Sequence, residues 1–420
     1  MSSVNNLVNG ADTAWLLISG ALVLFMTPGL ALFYGGMVRA KSTLNIMMMS
    51  FSAMGVTTII WVLYGYSISF GKDVAGIIGD LSHLGLGNTL DATVGGEGHQ
   101  VPTLAFAMFQ LTFAIITIAL LSGTIADRVK YSSWLVFVAA WVTLVYSPIA
   151  HWVFGGGWIM TKIGALDFAG GTVVEINSGA SALALALVIG KRIGFKRDQM
   201  RPHNLPLVLM GAGILWFGWF GFNGGSALTS GALASTALIN TQIAASAAAM
   251  TWLLTEKIRD GKATTLGIAS GAVAGMVAIT PACGFVNPLG ALIIGLISGA
   301  LSAWAVALKY KFNYDDSLDV VGVHGVSGLF GMLAIGILGT TTANAMGADG
   351  LFMNGGTALL EKQMIASVAV GLFAFTATYL IASFIEKTIG FRSSADDEAT
   401  GLDQTYHAET AYDFSSISIR

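Results

Sequence analysis

The feature that most constrains this chain is a series of long apolar segments that carry few or no charges. Eleven stretches have about 20 residues, enough for a helix to span the ~30 Å hydrocarbon core of a bilayer. They cover approximately residues 14–36, 44–70, 101–125, 133–150, 169–190, 205–224, 234–255, 264–282, 288–309, 319–338 and 364–385. Because a backbone in lipid must satisfy its own hydrogen bonds, the sequence predicts an all-α membrane protein with eleven transmembrane helices.

Composition favours the same fold class. Of 420 residues, 55% are apolar and only 10% are charged, whereas soluble domains average about 25% charged. A single cysteine, Cys283, excludes a disulfide framework and a cysteine-based metal site. We find no nucleotide loop, metal cluster or nucleophile–base set, so we expect no enzyme activity, no cofactor and no metal. A net charge of −3 gives no reason to expect a nucleic-acid partner.

The basic residues predict the orientation, because cytoplasmic loops carry the excess of Lys and Arg. With the N-terminus outside, 17 of the 20 basic residues fall in inner loops and the tail, and only Lys72, Lys162 and Lys362 remain outside. We therefore predict an N-out, C-in topology. Residues 1–385 are expected to form the transmembrane domain, and the polar, acidic residues 386–420 a cytoplasmic tail without a fold of its own in isolation.

Two ionisable residues, Glu175 and His324, lie deep inside apolar segments and in similar local sequences, VEINSG at 174–179 and VHGVSG at 323–328. A charge at the bilayer centre costs ~2.5–3.5 kcal/mol on insertion scales, so such residues indicate a functional site. Glu175 lies ~12 Å into the fifth segment from Asp167, and His324 lies ~7.5 Å into the tenth from Asp319. A purely structural role for both residues is the alternative.

The odd number of segments fits a repeat of five helices plus five, followed by one C-terminal helix. The two halves must then be inverted relative to each other, because five is odd. Glu175 and His324 occupy equivalent fifth helices, and the first and sixth helices share the related sequences LFYGG and FGFNGG. Inverted repeats place their site near the midplane, at the interface between halves.

Several motifs together resemble the ammonium transporter family (Amt/Mep/Rh). They are FYGG at 33–36, FQLTF at 109–113, DFAGGTVV at 167–174, GWFGFNGGS at 218–226, TPACG at 280–284, GVHGV at 322–326 and GLD at 401–403. The resemblance implies an ammonium transporter with eleven helices per subunit, a homotrimer in contact with membrane lipid, and a narrow pore through each subunit. It also implies a multi-pass protein of the cell (plasma or inner) membrane.

The family's outer recruitment site and gate carry over to specific residues. The resemblance implies that ammonium is recruited by Phe109, Phe113, Phe154 and Ser226, and that Phe113 and Phe222 form a stacked gate. Aromatic faces attract a cation by ~0.5–2 kcal/mol, and a hydroxyl can accept one N–H. Phe109 and Phe113 are four residues apart and share a helix face, although without the resemblance simple packing would explain the pair.

Other positions form the implied pore. The family usually joins two histidines at the centre, but Glu175 occupies the first position and pairs with His324, which resembles a subset of fungal ammonium permeases. Asp167 is implied to organise the site without touching the substrate and to cap the fifth helix. Pore-wall positions, which packing alone would also explain, are Tyr34, Trp219 and Val320.

The recruitment site departs from the commonest bacterial pattern at one position. A Trp usually precedes the Gly-Gly-Gly of the outer loop, and here that residue is Phe154. A Phe face binds cations less well than an indole, so we expect a weaker site unless Trp152 or Trp158 compensates.

The predicted mechanism is electrogenic uptake, in which ammonium is deprotonated, ammonia crosses the pore, and the Glu–His pair relays the proton. An ionised Glu175 that admits intact ammonium is the alternative. We also considered an ammonium sensor, which usually carries a fused signalling domain that the short tail leaves no room for, and a Rhesus-type gas channel, which needs no cation site. The tail is implied to bind a PII signalling protein, and an unstructured acidic end is the alternative.

Overall fold

The computed structural model describes residues 7–412 and is almost entirely helical in that range. Ten helices are long and apolar enough to cross a membrane: α1 (Gly10–Met37), α2 (Ala40–Phe70), α3 (Thr103–Thr124), α4 (Tyr131–Val153), α5 (Gly171–Ile189), α6 (Leu205–Gly225), α7 (Ala232–Asp260), α9 (Pro288–Phe312), α10 (Val321–Leu338) and α11 (Ala358–Thr388). The eighth predicted segment forms the shorter apolar helix α8 (Thr265–Ile279). Each predicted segment therefore contains a helix.

Polar side chains next to the apolar segments determine where several helices begin. Asn9 accepts hydrogen bonds from the backbone of Ala11 and Asp12 at the start of α1, and Asn204 and Asn287 do the same for α6 and α9. Helix starts leave four N–H groups without partners, so a side-chain oxygen just before the apolar run stabilises that boundary.

Glycines allow the helices to approach closely, which suits a protein whose helices cannot rely on the hydrophobic effect in lipid. The longest packing interface joins α1 to α6, the first helices of the two predicted repeats. At Gly211 in α6, a Cβ would lie 2.3 Å from the backbone nitrogen of Phe33 in α1. The two backbones are therefore in direct contact, and only glycine fits there.

A second close crossing joins α5 and α10. A Cβ at Gly179 would lie 2.1 Å from Cα of Gly325, and a Cβ at Gly328 would lie 2.5 Å from Cβ of Glu175. The contacts are reciprocal. The last glycine of VEINSG (174–179) contacts Gly325, the neighbour of His324, and the last glycine of VHGVSG (323–328) contacts Glu175. Such reciprocity is what two halves related by a two-fold axis would produce.

The long connection between α2 and α3 contains two short antiparallel hairpins. They pair β1 (Asp73–Val74) with β2 (Ile78–Gly79) and β3 (Thr93–Val94) with β4 (Val101–Pro102). This connection covers the end of the helix bundle at which α3 begins.

The tail packs against loops at the opposite end. Helix α11 continues past the boundary predicted at 385 and ends at Thr388, and two short helices follow, α12 (Ala395–Thr400) and α13 (Leu402–His407). Asp403 accepts hydrogen bonds from the backbone of Leu44 and Asn45, 3.0 and 2.7 Å away. The end of the predicted tail, residues 413–420, lies outside the described residues.

Candidate functional site

A cavity of about 210 Å³ opens among aromatic side chains at the end of the bundle covered by the hairpins. We call it the aromatic cavity; its walls are Val94, Phe106, Gln110, Phe113, Phe154, Phe168, Ser226 and Leu228. Three of the four predicted recruitment residues, Phe113, Phe154 and Ser226, therefore meet there. Within this wall there is no lysine or arginine, so the rings and oxygen atoms face no competing positive side chain.

The fourth predicted recruitment residue, Phe109, is not part of this wall. It is 1% exposed and lies beside Gly20 and Gly225, where its ring meets Phe113 edge to face with the centroids 4.9 Å apart. The i, i+4 spacing predicted a shared helix face correctly, but the close approach of α1 and α6 occupies the space around Phe109. Its contact with the cavity is therefore through Phe113.

The serine hydroxyl has a definite orientation. Ser226 Oγ donates to the carbonyl oxygen of Phe222, 2.8 Å away, at the end of α6. Its hydrogen is thereby engaged, and its lone pairs remain to accept an N–H from a molecule in the cavity.

Trp152 and Trp158, the two tryptophans considered as substitutes for Phe154, contact other groups. Trp152 donates its indole N–H to the Ile77 carbonyl, and its ring packs against Trp158 and Phe373. Neither indole lines the aromatic cavity. The additional ring is that of Phe168, which the sequence analysis did not select.

The two predicted gate residues are stacked. The ring centroids of Phe113 and Phe222 are 4.2 Å apart with an interplanar angle of 30°. Phe113 lines the aromatic cavity and Phe222 lines a second cavity. The stacked pair therefore separates the two cavities.

Asp167 caps α5, as predicted. One carboxylate oxygen accepts the backbone N–H groups of Gly170 and Gly171, and the other accepts the N–H and hydroxyl of Thr172, all within 2.6–2.8 Å. These four hydrogen bonds join the carboxylate to the start of the helix that carries Glu175. A negative charge is favoured at this end of a helix.

The predicted pore-centre pair forms a direct hydrogen bond. His324 Nδ1 and Glu175 Oε2 are 2.7 Å apart, and both side chains are buried. Each residue lies in a π-helical first turn, Gly171–Ile176 in α5 and Val321–Gly325 in α10; such π segments are frequent at functional sites. Among residues 7–412, no hydrogen-bond partner reaches the other carboxylate oxygen, Glu175 Oε1.

The second cavity, here called the central cavity, lies between this pair and the stacked phenylalanines. Its walls are Met26, Leu30, Phe33, Ile116, Leu120, Val174, Glu175, Leu215, Trp219, Phe222, Val273 and His324. Its volume is about 20 Å³, and roughly 10–15 Å³ on this measure holds one water molecule. There is room for one molecule the size of water or ammonia beside an acid–base pair.

Of the three predicted pore-wall residues, one lines the central cavity and two do not. Trp219 lines the central cavity, and its indole donates to Thr280 Oγ1 at 2.8 Å. Tyr34 and Val320 are buried but belong to neither the aromatic nor the central cavity wall. Tyr34 instead donates its hydroxyl to the Leu120 carbonyl, and its neighbour Phe33 lines the central cavity.

A third, basic cavity of about 440 Å³ lies at the tail end of the bundle. It includes Arg192, Lys196, Arg197, Lys309 and Asp319 in its walls. Burial alone would raise the pKa of nearby Asp315, but hydrogen bonds from Arg192 and the charges of Arg128 and Arg192 lower it below its ordinary value. The ion-paired residues around this cavity come from several of the predicted inner loops.

Two buried glutamines, Gln110 and Gln363, were not among the predicted site residues. Gln110 lines the aromatic cavity. Gln363 in α11 binds the backbone of Leu166 at both polar groups, at 2.7 and 2.6 Å, just before Asp167. Gln110 lies in the FQLTF motif and Gln363 in an apolar helix, but neither pattern reveals which group the side chain faces.

Known proteins resemble the chain over almost its whole length. Residues 14–412 match the Ammonium Transporter Family. An ammonium transporter of Mycobacterium bovis is 52% identical over 98% of this chain and 92% of its own length, and one of Bacillus subtilis is 47% identical over 96% and 98%. The crystal structure of Candida albicans Mep2 has a TM-score of 0.88 at 34% identity, covering 94% of this chain and 88% of that one. The chain therefore belongs to the ammonium transporter family, and it is a multi-pass membrane protein rather than an enzyme.

Proposed function

We propose that this protein carries out electrogenic ammonium uptake. Ammonium is recruited in the aromatic cavity and gives up a proton to water there, ammonia crosses the central cavity, and the Glu175–His324 pair takes up the proton through water and relays it. The observation that carries this proposal is the buried 2.7 Å hydrogen bond of that pair at the wall of a cavity with room for one ammonia-sized molecule.

The free-energy costs favour deprotonation of ammonium over passage of the dehydrated cation. Taking an ion out of water costs several kcal/mol even after the protein relaxes. Ammonium has a pKa of roughly 9, so releasing its proton at pH 7 costs only about 3 kcal/mol at 1.36 kcal/mol per pKa unit. The central cavity is lined almost entirely by apolar side chains, so the neutral molecule crosses it at a lower cost. Potassium has no proton to release and is excluded.

The pair has the groups that a proton relay needs. One carboxylate oxygen of Glu175 bonds His324 Nδ1, while the other has no hydrogen-bond partner among residues 7–412. A proton can therefore arrive at one oxygen and leave through the imidazole ring. Two coupled groups of this kind titrate together, so the proton belongs to the pair rather than to either residue.

Recording currents after an ammonium pulse in proteoliposomes tests the relay. We expect Glu175→Gln and His324→Ala to lower the current by about 100-fold, the lower range of losses when a proton-transfer group is removed. Glu97→Gln, in the exposed hairpin loop, is the matched control and should leave the current unchanged. An unchanged current in Glu175→Gln contradicts the relay.

The same assay separates the relay from passage of intact ammonium through an ionised Glu175. A relay should survive Glu175→His, because two joined imidazoles can also pass a proton, and the wild type should carry no potassium current. Passage of the intact cation predicts the reverse, with loss of current in Glu175→His and a measurable potassium current in the wild type.

The topology and partners form a second part of the proposal. The basic loops and the tail lie at one end of the bundle, where Lys41 bonds the Ala399 carbonyl and Glu398 pairs with Arg392 at 2.9 Å. We assign this end to the cytoplasm of a homotrimer in the cell membrane, with N-out, C-in topology and eleven crossings. A PII signalling protein would bind there. Pull-down with and without residues 401–420 tests this, and equal capture would contradict a role for the tail.

A further inference from the structure

His151 is a buried histidine near the end of α4 that the proposed mechanism does not use. It is 0% exposed and comes just before the Phe154–Gly157 loop, whose first residue lines the aromatic cavity. Its Nδ1 lies 3.1 Å from the carbonyl oxygen of Ser69 at the end of α2. Its Nε2 lies 2.9 Å from Oδ1 of Asp73 in strand β1. The ring therefore joins α4 to two other parts of the chain at this end of the bundle.

Both partners of this ring can only accept a hydrogen. A carbonyl oxygen has no hydrogen to donate, and neither has an ionised carboxylate. Asp73 is partly exposed, and the hydrogen bond from His151 holds the pKa of its carboxyl group below the ordinary value. A neutral imidazole carries one N–H and one lone pair, so it satisfies only one of two acceptors. The two contacts together require an imidazolium, which donates from both nitrogens.

The other five histidines of the chain do not lie between two such acceptors. In four of them a single ring nitrogen is within hydrogen-bond distance of an oxygen atom: His83, His99, His324 and His407. His203 has contacts at both nitrogens, but those at Nε2 are with hydroxyl groups, which can donate to a neutral ring. Among the described residues, His151 is therefore the one histidine whose hydrogen bonds require a charged ring.

The loop that carries Phe154 lies directly on this histidine. The backbone N–H groups of Gly155 and Gly157 donate to the carbonyl oxygen of His151, at 3.1 and 2.9 Å. A Cβ at Gly155 would lie 2.8 Å from Nδ1 of His151 and closer still to the Ser69 carbonyl oxygen. Because the loop passes over the bond between ring and carbonyl, a shift of the ring moves the loop and Phe154 with it.

The β1–β2 hairpin is the other partner of this loop. The N–H of Gly76 donates to the same Asp73 oxygen that the ring contacts, 2.8 Å away. The Gly76 carbonyl oxygen in turn accepts the N–H of Trp158, just after the loop, at 3.0 Å. Within the described residues, the contact of His151 with Asp73 is the one ion pair between the hairpin and α4. It is therefore the link whose strength changes with protonation.

Other charged or titratable groups lie on the elements around the ring. They are Tyr66 in α2, Lys72, Asp80 and His83 in the connection that follows, Tyr146 in α4, Lys162 after the loop and Glu175 in α5. In the described part of the chain, none of them is hydrogen-bonded to His151. The charge of Lys162 helps to lower the pKa of Asp73, and hydrogen bonds from Ser82 lower that of Asp80. Both carboxylates stay ionised above about pH 5, so a further rise in pH changes this contact through the ring.

We propose that His151 is a positioning residue that makes recruitment depend on pH, because only its imidazolium form fixes the Phe154–Gly157 loop against the β1–β2 hairpin. The proposal rests on the proposed function, in which Phe154 helps to recruit ammonium. When the pH rises and the ring loses a proton, one nitrogen turns a lone pair toward an acceptor oxygen, and that contact becomes repulsive. The loop is then released, and recruitment weakens on the alkaline side.

An asparagine at position 73 removes the need for a charged ring. Its carboxamide can donate from Nδ2 to Nε2 of a neutral His151, while Nδ1 still donates to the Ser69 carbonyl. Asp73→Asn should therefore keep the link at every pH. His151→Gln has one amide nitrogen in place of two ring nitrogens and should show the weaker affinity at every pH. A purely structural role of the ring predicts the same pH dependence in Asp73→Asn and in the wild type.

The experiment measures ammonium-dependent currents against ammonium concentration for the full chain in proteoliposomes, at about pH 6 and pH 8.5 on both faces. The half-saturating concentration of the wild type should rise about threefold more than that of Asp73→Asn, a modest factor because ion pairs near water are weak. His99→Gln is the matched control. His99 also pairs with a carboxylate, that of Asp12, but it is exposed and bonds through one nitrogen, so this variant should follow the wild type.

Melting temperatures of the purified proteins at the same two pH values provide a second measurement. The wild type should lose more stability than Asp73→Asn as the pH rises. An equal pH dependence of affinity in these two proteins overturns the proposal, and so does a pH response that disappears in His99→Gln. If the wild type shows no ammonium-dependent flux, the proposed function fails. The melting temperatures then still test His151, because an equal loss of stability in wild type and Asp73→Asn would reject the pH-dependent link itself.

Discussion

The aromatic cavity and the central cavity are neighbours but differ in almost every physical property. The first has about 210 Å³, four phenylalanine rings and two side-chain oxygens, and the second has about 20 Å³ and a mostly aliphatic wall with one acid–base pair. The stacked rings of Phe113 and Phe222 lie between them. The first suits a cation that keeps part of its hydration, and the second suits one small neutral molecule.

Under the proposed function, this difference lets one short path first select by charge and then exclude charge. Recognition needs acceptors and ring faces, which act on the cation while water is still near. Crossing needs a dry apolar wall, which raises the free energy of any ion that enters the cavity. In the proposed mechanism, proton transfer to the pair at the wall of the second cavity reconciles these two requirements.

The largest expected effect comes from breaking the crossing that holds the central pair. Gly179→Ala places a Cβ 2.1 Å from Cα of Gly325, so α5 and α10 must separate. We expect a loss of roughly 3 kcal/mol or more, at the upper end of overpacking costs, with loss of transport. Thermal unfolding of the purified protein measures it.

The control for this prediction is Gly213→Ala in α6, where a Cβ would meet no atom within 4 Å. It should be neutral or slightly stabilising, since alanine is a better helix former than glycine. Equal melting temperatures for Gly179→Ala and the wild type would contradict the close crossing.

An intermediate effect is expected from joining the two cavities. Phe222→Ala removes one of the two stacked rings, which leaves the central cavity open to water and ions from the aromatic cavity. We expect ammonium selectivity over potassium to fall by about tenfold or more, because the cost of dehydrating the ion drops by at least the ~1.4 kcal/mol that corresponds to tenfold. Potassium currents in proteoliposomes test this, and continued exclusion of potassium would place the barrier elsewhere.

The smallest expected effect comes from a substitution that changes the aromatic cavity alone. Phe154→Trp should lower the half-saturating ammonium concentration by about two- to fivefold, because an indole face binds cations better by roughly 0.5–1 kcal/mol at a partly exposed site. The maximal rate should not change, since the central cavity is untouched. A change in maximal rate with constant affinity would show that Phe154 acts on a step other than recruitment.

Much of the architecture could be predicted from the sequence. Long apolar segments indicate their helices directly, because lipid leaves the backbone few alternatives. The similar sequences around Glu175 and His324 also predicted two side chains at matching depths, and the structure places them 2.7 Å apart. Asp167 was predicted to cap α5, and four hydrogen bonds place it there.

The walls of the cavities could not be predicted in the same way. Phe109 and Phe106 are both apolar residues of α3, yet only Phe106 lines the aromatic cavity. Tyr34 and Phe33 are adjacent in α1, and only Phe33 lines the central cavity. Which of two neighbouring residues lines a cavity depends on how its helix is rotated about its axis. A helix that is apolar on every face has no periodic pattern from which this rotation could be predicted.

The sequence by itself therefore determined the fold class, the positions of the helices and the two ionisable residues that lie within them. The physical reason is that lipid favours apolar helices and makes a charged residue inside one costly. The tertiary structure alone decided which side chains share a cavity, how narrow the central cavity is, and which polar atoms remain without a partner. Those properties depend on contacts between segments far apart in the chain. Glycine contacts such as Gly179 against Gly325 determine how closely the segments approach.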